Sequence, residues 1–145
     1  MNHIMNICSA RLSRFYSFAL FFLLIGSQSA FAHARLIKSN PSNTERLEMS
    51  PARIDLWFNE LLDDGFNSIE VFPLDELNQP KRTNFAMGNP AVDPKDRTHL
   101  SIAVEPLKPG SYIVSYRVLS RDGHTAPGRI SFHVAPATAP KSEGH

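Results

Sequence analysis

Apolar and polar residues alternate with a period of two along most of the chain after residue 32, and no segment there keeps a helical period. Successive side chains of a β-strand point to opposite faces, so this alternation predicts short strands that each bury one face. The clearest strand, ARIDLWF, places Ile54, Leu56 and Phe58 on one face. Short strands between turn signals are typical of an antiparallel β-sandwich. The six clearest predicted strands are Ala34–Ser39, Ala52–Phe58, Phe66–Pro73, Thr98–Val104, Ser111–Val118 and Arg129–Val134.

Two stretches fall outside the alternating pattern. Leu74–Arg97 is long and contains several prolines, so we expect a loop that is either functional or a mobile connection. Residues 136–145 are polar and rich in Ala and Pro, and we expect a disordered tail there. The sandwich domain is therefore expected to span residues 33–135.

The first 32 residues have the pattern of a cleaved secretory signal peptide. Arg11 and Arg14 precede the apolar run FYSFALFFLLIG, and the small-residue sequence SQSAFA follows it. The run is shorter than the stretch of about 20 residues that spans a membrane, which argues against an uncleaved anchor. The sequence predicts export to the periplasm and cleavage after Ala32, with cleavage after Ala34 as the alternative. The first cut makes His33 the N-terminal residue, and the second removes it.

Removing this segment changes the composition of the chain. It contains two of the 15 basic residues and none of the 14 acidic ones, so the remaining 113 residues carry 13 basic and 14 acidic side chains. This near-neutral balance leaves no basic surface of the kind that binds nucleic acid. The only cysteine, Cys8, is also removed. The exported domain therefore has no disulfide and no thiolate ligand for a zinc-finger, blue-copper or iron–sulfur site.

Asp122 and His124 are the strongest candidates for chemistry within the domain. They lie in the segment SRDGHTAPG, between the last two predicted strands. Because they are two residues apart, both side chains point to the same side of an extended segment. A carboxylate and an imidazole are suitable ligands for Cu(II) or Zn(II). An ordinary Asp-Gly turn is the alternative interpretation.

An N-terminal His33 strengthens the metal interpretation. Its α-amine and its Nδ1 can close a chelate ring around one metal ion. Together with Asp122 and His124 it would supply three nitrogens and one oxygen, a set that suits tetragonal Cu(II). The ordinary pKa of an α-amine is about 7.7–8.0, so copper must displace its proton, and we expect the affinity to fall in acid.

Two long segments resemble the CopC family of periplasmic copper-binding, or copper resistance, proteins: HARLIKSNPSNTERLEMSPARIDLWFNELL and PLKPGSYIVSYRVLSRDGHTAPGRISFHV. The shared features are a histidine directly after the signal peptide, a strand ending in F-[SN]-E, the D-x-H pair and a final G-x-[IV]-x-F-x-V. The resemblance implies an all-β fold, a cupredoxin- or immunoglobulin-like Greek-key sandwich or barrel of about seven strands. It also implies one Cu(II) per chain, bound by His33, Asp122 and His124. Glu60 matches an acidic residue close to the family's copper site, as an outer ligand or as an acceptor that orients His33; a solvated strand end is the alternative.

The chain differs from those family members that have a methionine-rich Cu(I) loop. The corresponding stretch, FPLDELNQPKRTNFAMGNP, contains Met87 as its only methionine and no histidine, and Met49 is isolated. The sequence therefore predicts the type that has a Cu(II) site alone. His99 and His133 lie in predicted strands, and we expect both to face solvent.

These features predict a periplasmic protein that sequesters or delivers Cu(II) in copper resistance or homeostasis and is not an enzyme. A copper monooxygenase with an N-terminal histidine ligand is one alternative, and a metal-free β-sandwich interaction module is the other. By resemblance, an inner-membrane copper transporter of the CopD type is the expected partner. We expect a monomer that does not bind nucleic acid.

Overall fold

The computed structural model describes residues 33–136, which form two four-stranded β-sheets. The predicted signal peptide and residues 137–145 of the predicted tail lie outside the described residues. Over residues 33–136 the only helix is a 3-10 turn at Leu74–Glu76, and no helix there is long and apolar enough to cross a membrane. The strands are β1 (Leu36–Asn40), β2 (Glu45–Leu47), β3 (Arg53–Phe58), β4 (Ser68–Pro73), β5 (Ala86–Val92), β6 (His99–Val104), β7 (Gly110–Leu119) and β8 (Thr125–Val134).

The two sheets enclose one hydrophobic core. One sheet has the strand order β1-β3-β6-β5, and the other has the order β2-β8-β7-β4. The predicted inner face of β3 is buried, with Ile54, Leu56 and Phe58 all inside the core. Phe58 meets Tyr116 of the opposite sheet edge-to-face, with ring centroids 5.4 Å apart. The predicted all-β sandwich is confirmed.

β5 lies within Leu74–Arg97, so the prediction of a loop there is wrong over this strand. Gly88 and Pro90 interrupt the alternating pattern that identifies a strand in the sequence. The pairing of β5 with β6 shifts register between Met87 and Ala91, and Gly88 adopts a φ of +74° in this irregular part. A bulged strand of this kind has no regular period to detect.

β2 is the second strand that the sequence does not predict. It has three residues and runs parallel to β8, with Glu45 opposite Phe132, whereas every other named strand pair among residues 33–136 is antiparallel. Three residues are too few to show an alternating pattern. The sandwich therefore has eight strands, and one of its pairs is parallel.

A buried carboxylate, Asp55, lies on the outer face of the β1-β3-β6-β5 sheet. Asp55 is only 3% exposed, and its Oδ1 lies 2.8 Å from Nε2 of His99 and 2.8 Å from Nη2 of Arg53. The His99 ring stacks on Trp57, with centroids 4.4 Å apart and an angle of 7° between the planes. His99 is only 11% exposed, so the prediction that it faces solvent is wrong. A single sequence does not show the buried carboxylate that covers this histidine.

Two carboxylates organise the loop between β5 and β6. Asp93 accepts the backbone N–H of Lys95 at 2.8 Å, and Asp96 accepts the hydroxyl of Thr98 at 2.6 Å. These hydrogen bonds are the main cause that holds the pKa of each carboxyl below its ordinary value of 3.8, since they stabilise the charged form.

We expect the domain to lose stability as the pH falls below about 4. The pKa of Asp96 is lower in the folded chain than in the unfolded chain, so its contribution is complete above the ordinary pKa. Protonation removes it as the pH falls through the folded value. Urea unfolding at about pH 6 and about pH 3 measures the loss, which should be smaller in Asp96→Asn. An equal loss in that variant and the wild type would contradict this assignment.

Phe66 combines an exposed aromatic ring with a strained backbone. Its side chain is 89% exposed, and its φ is +57°. This left-handed region costs an L-residue about 1–2 kcal/mol, whereas glycine enters it freely but loses about 0.5–1 kcal/mol in conformational entropy. We expect Phe66→Gly to raise the free energy of unfolding by about 0.5–1 kcal/mol in urea titrations. Phe66→Ala still places an L-residue in the left-handed region, so it should change the free energy of unfolding by less than about 0.5 kcal/mol. Equal free energies of unfolding in the two variants would contradict a strained backbone at residue 66.

Candidate metal centre

The hairpin between β7 and β8 contains two of the predicted ligands. Its loop, Ser120–His124, is a tight turn in which the N–H of Gly123 donates to the carbonyl of Ser120 at 2.9 Å. Gly123 has a φ of +88°, which glycine adopts without a Cβ clash. The segment is therefore a turn and not the extended segment that the sequence suggests. An Asp-Gly turn and a metal site are compatible here, because the turn itself determines where the two side chains point.

The turn brings the side chains of Asp122 and His124 together. Oδ2 of Asp122 lies 3.1 Å from Nδ1 of His124, and Oδ1 accepts the backbone N–H of His124 at 3.0 Å. The backbone hydrogen bond is the largest cause that lowers the pKa of the Asp122 carboxyl; the His124 ring and the charge of His33 add to it, while desolvation opposes it. Asp122 is therefore ionised at neutral pH.

His33 lies beside this turn, although it comes from the other end of the domain. Its ring centroid is 5.9 Å from that of His124, and the two rings are inclined by 54°. Its side chain is exposed, whereas the next residue, Ala34, is buried in the core. Two imidazoles that bind one ion at metal–nitrogen distances of about 2.0–2.1 Å have centroids on the order of 4.5–6.5 Å apart. The observed separation falls within this range.

Glu60 lies in a short segment that follows β3, Asn59–Asp63, which we call the connector segment. Leu62 of this segment forms an isolated β-bridge with Ser120, at the start of the hairpin loop. Glu60 is half-buried two residues before that bridge. It therefore lies at the same end of the sandwich as the other predicted site residues.

His33, Asp122 and His124 meet at one surface but do not form a closed metal site. Over residues 33–136, no group of three or more His, Cys, Asp or Glu side chains is disposed to hold a metal ion. In the full-length chain the nitrogen of His33 belongs to the peptide bond with Ala32, and an amide nitrogen is not an amine ligand. The side chains supply two imidazoles and a carboxylate. Cleavage after Ala32 would add the α-amine as a fourth donor.

Comparison with known proteins identifies the family of the chain. The sequence model of the CopC domain matches residues 36–135, which is most of the chain. The chain belongs to the CopC family. The match begins three residues after His33 and includes β1 to β8, so it contains Glu60 and the whole hairpin of Asp122 and His124.

Two relatives and one solved CopC structure illustrate the similarity. The copper transport protein CutJ of Bacillus subtilis (strain 168) is 28% identical over 129 residues, which cover 86% of this chain and 22% of that protein. Copper resistance protein C of Xanthomonas campestris pv. juglandis is 34% identical over 115 residues, which cover 76% of this chain and 86% of that one. The crystal structure of CopC from Methylosinus trichosporium OB3b has a TM-score of 0.61 at 28% identity, covering 74% of this chain and 98% of that one. This chain thus spans about a fifth of CutJ and most of the other two proteins.

Two further residues near this hairpin, Ser120 and Asn59, are not among the predicted site residues. Ser120 is buried, and its hydroxyl has no hydrogen-bond partner among residues 33–136. Oδ1 of Asn59 accepts the backbone N–H of Arg35 at 2.6 Å. Asn59 occupies the second position of the F-[SN]-E pattern, which is the one sequence signal for it. A buried serine hydroxyl leaves no such signal.

Proposed function

We propose that the exported chain, beginning at His33, binds one Cu(II) ion through the α-amine and Nδ1 of His33 and the side chains of Asp122 and His124. The observation that carries the proposal is the convergence of two imidazoles, 5.9 Å apart between centroids, beside a carboxylate that is ionised at neutral pH. They come from the first described residue and from the last hairpin. The fold has no structural need for this convergence, since all three side chains are exposed.

The donor set favours Cu(II). Three nitrogens and one carboxylate oxygen suit the tetragonal geometry of Cu(II), whereas Cu(I) prefers thiolate or thioether ligands. Residues 33–136 contain no cysteine, and their methionines, Met49 and Met87, are exposed and lie in separate segments. We propose a single Cu(II) site with no separate Cu(I) site.

Glu60 is proposed to act next to the copper ligands. It lies in the connector segment, which pairs with the hairpin through Leu62 and Ser120. In this position its carboxylate would either bind copper as an outer ligand or accept a hydrogen bond that orients His33. Partners of this kind typically contribute a factor of about 10–100 to metal affinity.

The proposed biological role is to sequester or deliver copper in the periplasm, in copper resistance or homeostasis. The names of the relatives support this role, since they are a copper transport protein and a copper resistance protein. A carrier is favoured over an oxygen-activating enzyme because Asp122 would occupy a position that oxygen activation needs open. A separate membrane copper transporter of the CopD type is the proposed partner, and the protein is proposed to act as a monomer.

A Cu(II) titration followed by electron paramagnetic resonance tests the proposal. The protein is purified after export of the full-length chain, and its N-terminus is verified by intact mass. We expect a single type 2 Cu(II) spectrum that saturates at one equivalent. The affinity should weaken as the pH falls below the amine pKa of about 7.7–8.0. A spectrum that continues to grow beyond one equivalent, with no saturating component, would contradict a dedicated site.

A further inference from the structure

We propose that Asn59 is a positioning residue that holds the N-terminal ligand in place before copper arrives. This inference rests on the proposed function, because it concerns the same site. β1 and the β7–β8 hairpin belong to different sheets, so no strand pairing connects His33 directly to Asp122 and His124. An exposed chain terminus next to them would be poorly ordered unless other contacts held it in place.

Asn59 binds both backbone polar groups of Arg35. Its side-chain Oδ1 accepts the N–H of Arg35 at 2.6 Å, and its own backbone N–H donates to the carbonyl of Arg35 at 3.1 Å. Leu36 is opposite Phe58 in the β1–β3 ladder, so this pair extends the ladder by one residue toward His33. In a regular antiparallel ladder the backbone carbonyl of the opposite residue would accept the N–H of Arg35. Asn59 lies outside the strand, and its side-chain oxygen accepts this N–H instead.

The other end of the connector segment is fixed to the hairpin. The N–H of Arg121 donates to the carbonyl of Leu61 at 2.9 Å, and the N–H of Asp63 donates to the carbonyl of Leu119 at 2.8 Å. The connector segment is thus bonded to the N-terminal segment through Asn59 and to the ligand-bearing hairpin through its remaining residues. It is the structural link that sets the distance between His33 and His124.

Ala34, which lies between His33 and Arg35, is a second anchor of the N-terminal segment. Its side chain is 9% exposed and packs in the core, between the exposed His33 and the residue that Asn59 binds. Only one residue, His33 itself, therefore remains to be ordered when copper binds. Ordering the backbone of one further residue changes an equilibrium constant by a factor on the order of ten. Loss of the Asn59 side-chain bond should thus weaken copper binding by about tenfold.

Three variants test this role, each expressed as the full-length chain and purified after export. Asn59→Ala removes the acceptor, and Asn59→Asp restores an acceptor of the same shape. Asn43→Ala is the matched control, because Oδ1 of Asn43 likewise accepts a backbone N–H, that of Ser131 at 3.0 Å, and Asn43 is likewise exposed. Each is compared with the wild type by Cu(II) competition titration, thermal unfolding without copper, and hydrogen exchange of the Arg35 amide.

We expect Asn59→Ala to bind Cu(II) about tenfold more weakly and to lose protection of the Arg35 amide. Asn59→Asp and Asn43→Ala should bind within about threefold of the wild type, although Asn43→Ala should lower the unfolding temperature as much as Asn59→Ala does. Equal copper affinity in Asn59→Ala and Asn43→Ala, or an Arg35 amide that stays protected in Asn59→Ala, would overturn the positioning role. A wild-type protein that fails to bind one equivalent of Cu(II) would instead refute the proposed function, and the exchange result would still decide whether Asn59 holds the N-terminal segment.

Discussion

His124→Ala is expected to weaken Cu(II) binding by at least a hundredfold. The variant removes one of two imidazoles, and it also removes the contact that orients the Asp122 carboxylate, whose Oδ2 lies 3.1 Å from Nδ1 of His124. Loss of an outer partner alone typically costs metal sites about 10–100-fold, so loss of a ligand should exceed that range. Competition titration of the exported protein against a chelator of known affinity measures the change.

His133→Ala is the matched control for this prediction. His133 is also a histidine of the β8 region, but it lies at the opposite end of the strand, about 30 Å from His124 at 3.3–3.4 Å per residue. It is half-buried and its Nδ1 lies 3.0 Å from the hydroxyl of Ser111, so it has a structural contact of its own. Its replacement should leave copper affinity unchanged. Equal losses in His124→Ala and His133→Ala would mean that copper binds nonspecifically to histidines.

Asp122→Asn distinguishes the role of Asp122 in the turn from its proposed role as a metal ligand. An asparagine Oδ1 can still accept the backbone N–H of residue 124, as Asp122 does at 3.0 Å, so the turn should be kept. The variant loses the negative charge but keeps a neutral oxygen donor, so we expect copper binding to weaken less than in His124→Ala, by about 10–100-fold, while the unfolding temperature of the copper-free protein changes little. An affinity equal to that of the wild type would exclude Asp122 as a ligand.

Phe58→Ala is expected to lower the free energy of unfolding by about 3–5 kcal/mol. Phe58 is 1% exposed, and it joins the two sheets through its edge-to-face contact with Tyr116. The described domain contains no cysteine, so no disulfide offsets the cavity that the substitution leaves. Since a domain of this size is stable by only about 5–15 kcal/mol, the variant should retain a fraction of its stability. Urea unfolding of the copper-free protein measures the difference.

Phe66→Ala is the matched control for Phe58→Ala. It is the same substitution at a ring that is 89% exposed and outside the core. We expect a change of less than about 0.5 kcal/mol. If both substitutions cost the same, the assignment of Phe58 to the core that holds the sheets together would be wrong.

The sequence predicts those parts of the fold in which one face of a strand is buried and the other is exposed. Ile54, Leu56 and Phe58 show this directly, because burial of every second residue requires the alternation that the sequence displays. β5 is not predicted because its bulge around Gly88 breaks the alternation of apolar and polar residues. β2 is not predicted because it has only three residues. Pairing between distant segments, such as β2 with β8, has no local pattern at all.

The candidate site also contains some residues that the sequence predicts and others that it does not. His33, Asp122 and His124 are recognisable because each belongs to a short local motif, the end of a signal peptide or a D-x-H pair. Asn59 was not recognisable as a partner of Arg35, since their hydrogen bonds join segments that are 24 residues apart. The buried environment of His99 depends in the same way on Asp55, a residue 44 positions away. Such contacts appear only when the fold is known.

Adding one residue before His33 tests whether its N-terminal amine is a copper ligand. Two forms of the protein are compared by Cu(II) titration with electron paramagnetic resonance, one beginning at His33 and one beginning at Ala32. Both contain the same imidazoles and carboxylates, but in the second the nitrogen of His33 is an amide. We expect a type 2 spectrum that saturates at one equivalent in the first form, and at least a hundredfold weaker binding with an altered spectrum in the second. Identical spectra and affinities in the two forms would contradict it.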